Sequence, residues 1–184
     1  MEIIFTSTKT LSGKLIRWGT ERSWLKTSTV NHVALRYGGK ESKWMVESNK
    51  HGFIPNWWPV YMEDKHREKC YKFEIQGIDE ELLEEIVDEC IDELIHKPYD
   101  FLGILGFGII IGWYQLTGKK IQNVFGSKRS YICTESIYYI LKKIETKTKK
   151  KMVNYFNRET IFPEALMNDL KSRNKRYKFK KCSN

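Results

Sequence analysis

The chain has 184 residues, of which 41% are hydrophobic and 14% aromatic, and it carries a formal net charge of +9. That length suits one domain with its own buried core. The composition excludes extended disorder, and four cysteines are too few for a small disulfide-stapled scaffold.

In chain order, residues 2 to 6 read as a short strand. Thr10 to Gly19 reads as a helix, with Leu11, Leu15 and Trp18 at helical spacing. Val30 to Tyr37 alternates as a strand, with His32 in its middle on the opposite face from Val33 and Leu35. Gly38 and Gly39 supply a turn, and Lys43 to Ser48 returns as the second arm of an antiparallel hairpin. Cys70 to Ile75 is a further strand. Asp79 caps a helix whose apolar stripe is Leu83, Ile86, Val87, Cys90, Leu94 and Ile95, and Pro98 stops it.

Phe101 to Leu116 is apolar and holds four glycines. It is shorter than the roughly 20 residues a spanning helix needs, so the spacing predicts a buried helix or a Gly-rich core segment, with lipid contact as the alternative. The last helices fall at about 132 to 145 and 163 to 171, with Pro163 suited to a first turn. The lysine-rich run after Ile144 reads as a loop. The basic tail from about residue 171 reads as surface structure or a loosely held end.

Charge is segregated. Residues 79 to 93 hold nine acids and no Lys or Arg, while Lys142 to Lys151 and Lys171 to Lys181 are strongly basic. Such clusters suit a solvated face or contact with an anionic surface. Aromatic and basic residues are not interleaved as in a nucleic-acid platform, so no specific nucleic acid is expected.

Cys70, Cys90, Cys133 and Cys182 lack the spacing of a zinc or redox site, and all four are expected as reduced thiols. No signal-peptide apolar region and no transmembrane helix are read, which points to the cytoplasm or another reducing compartment. No cofactor is implied. No metal is expected either, because His51, His66 and Cys70 lack a fourth ligand at fitting spacing.

Cys133 opens a helix, where the positive end of the helix dipole favours a thiolate. Taken singly, it is equally the small hydrophobe of a core. His32 on a strand and Glu47 on the strand that follows change that balance. If the two strands pair, the acid fixes the imidazole's orientation. A Cys, a His and a carboxylate are the parts of nucleophilic thiol catalysis.

Several stretches carry a resemblance in order: Leu11 to Thr20, Asn31-His32-Val33-Ala34-Leu35, Val46-Glu47-Ser48 with Gly52-Phe53, Pro98-Tyr99-Asp100-Phe101, Tyr131-Ile132-Cys133-Thr134-Glu135, and Phe162-Pro163-Glu164-Ala165-Leu166. Together they resemble the circularly permuted NlpC-type papain-like cysteine hydrolases, in particular the YiiX-like group. The family usually has Cys-Ser-Glu where this chain has Cys133-Thr134-Glu135. The resemblance implies an α+β, permuted papain-like fold over residues 1–184, an antiparallel sheet packed against helices.

It also implies a thiol hydrolase, or an acyltransferase of the same chemistry, that acts on an amide or ester through Cys133 as nucleophile, His32 as base and Glu47 as the orienting acid. Tyr131 and Thr134 are candidates for the oxyanion site or the substrate cleft. Glu135 is expected to anchor structure. The substrate is expected to be a peptide, a peptidoglycan-type amide or an acyl lipid, since the related lecithin:retinol acyltransferase group handles acyl lipids on the same fold. The alternative is a catalytically silent module that binds an anionic partner or lipid through its basic surface.

Overall fold

A computed structural model describes residues 1–38, 42–63, 67–119, 121, 130–155 and 161–182; Gly39 of the expected turn and His66 lie outside them. Among the described residues six strands form one antiparallel sheet: β1 (Glu2–Thr8), β2 (His32–Arg36), β3 (Trp44–Asn49), β4 (Gly52–Trp57), β5 (Arg67–Ile75) and β6 (Tyr177–Lys181), in the order β4-β3-β2-β1-β5-β6. The helices are α1 (Leu11–Arg22), α2 (Trp58–Glu63), α3 (Glu80–Leu94), α4 (Phe101–Thr117), α5 (Cys133–Thr148) and α6 (Pro163–Lys171). The chain is therefore α+β, as expected.

Strand alternation builds the main core. Ile3 and Phe5 of β1, Val33 and Leu35 of β2, Val46 of β3 and Phe73 of β5 point to one face. The stripes of α3 (Leu83, Ile86, Val87, Cys90), α5 (Ile137, Ile140, Leu141, Ile144) and α6 (Leu166, Met167, Leu170) close over that face. Burial at about 25 cal/mol per Å² of apolar surface makes this the dominant stabilising term. On the other face, α2 covers Ala34 and Met45 with Tyr61.

The charge segregation has a structural answer. The acidic flank of α3 lies against the basic flank of α5. Lys143 Nζ is 2.6 Å from Glu93 Oε1, Lys147 pairs with Glu89, and the Tyr139 hydroxyl donates to Glu93. Each exposed pair is worth under about 1 kcal/mol, but together they fix which helix faces meet. They also draw α5 out past the expected loop start at Ile144 to Thr148, where Lys149 ends it with a left-handed backbone.

Two expectations are corrected, and the alternatives left open for the tail are resolved. The cysteines are not all reduced thiols: Cys70 and Cys182 are disulfide-bonded, while Cys90 and Cys133 remain free. Of the two readings of the basic tail, surface structure holds: Tyr177–Lys181 pairs along β5 with four of its five residues exposed, and places the two cysteines side by side. No local sequence pattern advertises a pairing across 112 residues. The segment from Phe101 is a helix, but not a buried one. Gly103, Gly106, Phe107, Ile110 and Ile111 are covered, while Phe101, Leu102, Leu105, Ile109, Trp113 and Leu116 stand exposed. Among the described residues no helix is long and apolar enough to cross a membrane.

A cross-link over a span of 112 residues should stabilise the fold by about 4–5 kcal/mol through loop closure. Adding a thiol reductant is therefore expected to lower the melting temperature measured by circular dichroism, and Cys70→Ser should reproduce the drop. Thiol titration of the denatured, unreduced chain should count two reactive cysteines rather than four. Four would refute the cross-link.

Candidate functional site

The site begins with a buried charge. Glu47 is 3% exposed, and a carboxylate taken out of water needs partners. It has them on both oxygens. His32 Nε2 stands 2.7 Å from Oε2. Asn56 Nδ2 donates to Oε1 at 2.8 Å, and Asn49 Nδ2 donates to the same oxygen at 3.1 Å.

The sheet register produces this set. Ala34 of β2 pairs with Glu47 of β3, so His32, two residues before Ala34, lies diagonal to the carboxylate on the same face. Glu47 pairs in turn with Ile54, so Asn56, two residues on, shares that face across the β3–β4 hairpin. His32 opens β2 rather than lying in its middle. That end position lets the ring reach beyond the sheet face.

The start of β2 is held from two sides. The Asn31 side chain accepts from the Thr8 N–H and donates to the carbonyls of Thr8 and Gly13, all at 3.0 Å. Gly13 is required there, since a Cβ would come within 2.3 Å of Thr8 Oγ1. Glu164, at the start of α6, accepts from the Thr29 N–H at 2.6 Å and the Val30 N–H at 3.2 Å.

Cys133 is the first residue of α5 and is 2% exposed. Its approach is also clamped. The Ser48 hydroxyl donates to the Tyr131 carbonyl at 2.8 Å, and the Tyr131 N–H donates to the Pro98 carbonyl at 3.1 Å. Glu135 is an anchor, as expected: its Oε2 accepts from the Ile132 N–H at 2.9 Å. Being at the helix start, the Cys133 N–H has no partner within the helix and suits a developing oxyanion.

Cys133 and His32 interact directly. Burial pulls the His32 imidazole down, but the charge of Cys133, a hydrogen bond to its sulfur, and the hydrogen bond and charge of Glu47 outweigh that and raise its pKa to about 9. With Nε2 committed to Glu47, Nδ1 is the ring nitrogen left for the sulfur. The structure thus brings the three expected residues together, with the imidazole as the bridge.

Of the two accessory candidates, Thr134 is at the site and Tyr131 is apart. Thr134 lines a cavity with Cys133, and its hydroxyl is fully buried without a hydrogen-bond partner. The Tyr131 ring packs on the main core beside Tyr139. The tyrosine at the site is Tyr99. It lines the cavities on both sides of the Cys133–His32 pair. Burial, then the charges of Cys133, Glu135, Glu47 and Asp100, hold its phenol well above the ordinary 10, so it stays an O–H donor at neutral pH. Asn49, Asn56 and Tyr99 were not singled out as site residues from sequence. The one available signal was period-two spacing, which puts Asn49 on the face of Glu47.

Two cavities meet at the pair. One, of about 380 Å³, is walled by α1, α4 and the start of α6 and opens onto Cys133. The other, of about 660 Å³, is more polar and contains His32, Glu47, Asn49, Asn56 and Tyr61.

No family model matches the chain, and no curated protein does. Among solved structures the chain is similar to metalloprotein YiiX from Escherichia coli O157:H7, of DUF1105, with a TM-score of 0.52 and 16% identity over 83% of this chain and 68% of that one. At that identity the likeness is one of fold. The residues here do not fit a metal centre. Both oxygens of Glu47 are engaged by His32 and the two asparagines, and among the described residues no group of three His, Cys, Asp or Glu is arranged to hold an ion. What the comparison supports is an α+β fold of the YiiX kind.

Proposed function

We propose that this chain is a thiol hydrolase of the permuted papain-like type, cleaving an amide or ester through Cys133, His32 and Glu47. The observation that carries the reading is the position of His32, held by the buried Glu47 carboxylate and paired with a cysteine at a helix N-terminus. Attack by the Cys133 sulfur on a carbonyl carbon forms a tetrahedral intermediate. The Cys133 N–H is positioned to donate to its oxyanion, with the Tyr99 hydroxyl a second donor beside it. His32 gives its proton to the leaving group as the carbon–heteroatom bond breaks, leaving a thioester. A water deprotonated by His32 then releases the acid and restores the thiol. Glu47 keeps the ring oriented and stabilises its charged form through both steps.

The silent-module reading draws less support. Part of the basic cluster on α5 is taken up by Glu89 and Glu93 of α3 rather than presented to a partner.

Two outcomes follow. Iodoacetamide should alkylate Cys133 at neutral pH, and His32→Ala should reduce that rate about tenfold or more, read by intact mass against a Cys133→Ala control. An equal rate in wild type and His32→Ala would contradict the pairing.

The His32 imidazole holds its proton up to about pH 9. Acylation needs that proton, so activity should persist below this value and fall as pH rises through it. Glu47→Gln keeps the shape and removes the charge. It should lower kcat/KM by about 10²-fold and move the alkaline limb downwards. A limb that stays in place would show that Glu47 does not sustain the imidazolium.

A further inference from the structure

We propose that the acyl half of the substrate is a hydrocarbon chain lodged in the cavity between α1 and α4, with its polar leaving group in the cleft on the His32 side. This rests on the thiol-hydrolase reading and names its substrate class as a fatty-acyl group on a polar, hydrogen-bonding partner.

Four observations lead there. The cavity that opens onto Cys133 is walled by Ile16, Tyr99, Ile104, Phe107, Ile111 and Phe162, and such walls reject a peptide backbone, whose N–H and C=O groups would lose water without gaining partners. Thr134 is among the residues lining the cavity, and its hydroxyl, buried just beneath the surface, has no partner. A buried hydroxyl left unpaired is destabilising, and the carbonyl oxygen of an acyl group attacked by Cys133 would supply its acceptor.

The cleft on the other side is more polar. His32, Asn49, Lys50 and Asn56 face it, and His32 is the group that must protonate the leaving atom. The chemistry therefore orients the substrate: acyl chain on the cysteine side, leaving group on the histidine side.

Finally, the cavity's rim is itself apolar and exposed. Leu15, Trp18, Phe101 and Leu105 line it and remain open to solvent, each about half exposed or more. Basic side chains stand beside them, with exposed Lys14 on the same helix and the Arg22 guanidinium 4.4 Å from the Trp18 ring centre. An apolar mouth with cationic neighbours suits a chain drawn from an assembly of anionic amphiphiles. Burial of each methylene in such a cavity contributes enough to raise kcat/KM several-fold.

The reaction balances without a further reagent. Cys133 sulfur bonds the acyl carbon, the carbon–oxygen or carbon–nitrogen bond of the substrate breaks, and the His32 proton leaves with the alcohol or amine. Water then adds to the thioester, giving a fatty acid and the free thiol.

The test uses p-nitrophenyl acetate and octanoate together with iodoacetamide and N-octyl iodoacetamide as thiol probes. Wild type should hydrolyse the octanoate at least tenfold faster in kcat/KM, and Cys133 should take the octyl probe faster than the plain one. Gly108 lines the cavity on α4, and a Cβ there meets nothing within 4 Å. Leucine at that helical position favours folding while filling the cavity. Gly108→Leu should therefore shrink the octanoate-to-acetate ratio at least tenfold.

Thr134→Val removes the unpaired hydroxyl. It should lower kcat at least tenfold with no loss of melting temperature, a combination that a merely structural threonine would not give. The octanoyl ester offered dispersed and in phosphatidylglycerol vesicles separates the two sources of chain. A higher rate in vesicles assigns a lipid surface and a lower one assigns dispersed molecules, and either agrees with the acyl cavity. Equal rates for acetate and octanoate, unmoved by Gly108→Leu, would overturn the acyl cavity while leaving the thiol hydrolase standing. A Cys133 that reacts with neither probe and neither ester would overturn both.

Discussion

The buried carboxylate of Glu47 constrains everything around it. An ionised group with almost no solvent contact survives only if its partners are already in place. Here three side chains converge on it from three strands: His32 from β2, Asn49 from the end of β3 and Asn56 from β4. Their convergence depends on the register of two hairpins. A slip of one residue in either would turn a partner to the opposite face and leave the charge unpaired. The acid therefore does two things. It ties the register of the sheet edge to electrostatics, and it keeps one ring nitrogen of His32 occupied so that the other faces Cys133.

The rest of the fold delivers Cys133 to that imidazole. Strand faces and helix stripes build the core under α5. Complementary charge on α3 and α5 settles their relative orientation. Ser48, one residue beyond Glu47, binds the Tyr131 carbonyl just ahead of α5, so the acid and the thiol are positioned from adjacent residues of one strand. Glu164 and Asn31 brace the start of β2 from opposite directions. Each of these bonds joins segments distant in the chain and so holds the parts of the site in place relative to one another.

Much of this was legible in the sequence, and the limits have physical causes. Alternation around His32 and Glu47 marked two strands, and their proximity in the chain made a hairpin the natural pairing. The helix opening at Cys133 followed from the apolar spacing of Ile137, Ile140, Leu141 and Ile144. The acidic helix, its Asp79 cap and its stripe were equally plain, because they rest on contacts a few residues apart.

What escaped were features set by distant packing. The Cys70–Cys182 pairing and strand β6 depend on the C-terminal segment meeting the mid-chain strand β5 at one sheet edge. Helix α4 is so uniformly apolar that its sequence carries no periodicity to say which side is covered, and the exposed side emerges only once α1 is in place. Tyr99 and Tyr131 look alike in sequence. They are told apart only by the packing around each ring, the site cavities for Tyr99 and the core beside Tyr139 for Tyr131.

The most direct test is the titration of His32 itself, followed by nitrogen-15 NMR of labelled imidazole in wild type and in Cys133→Ser. If the histidine is the bridge between acid and thiol, its pKa should be about 9 in the wild-type protein and should fall towards the ordinary 6.5 when the sulfur is replaced. A His32 that titrates near 6.5 in both proteins would contradict the pairing on which the proposed chemistry depends.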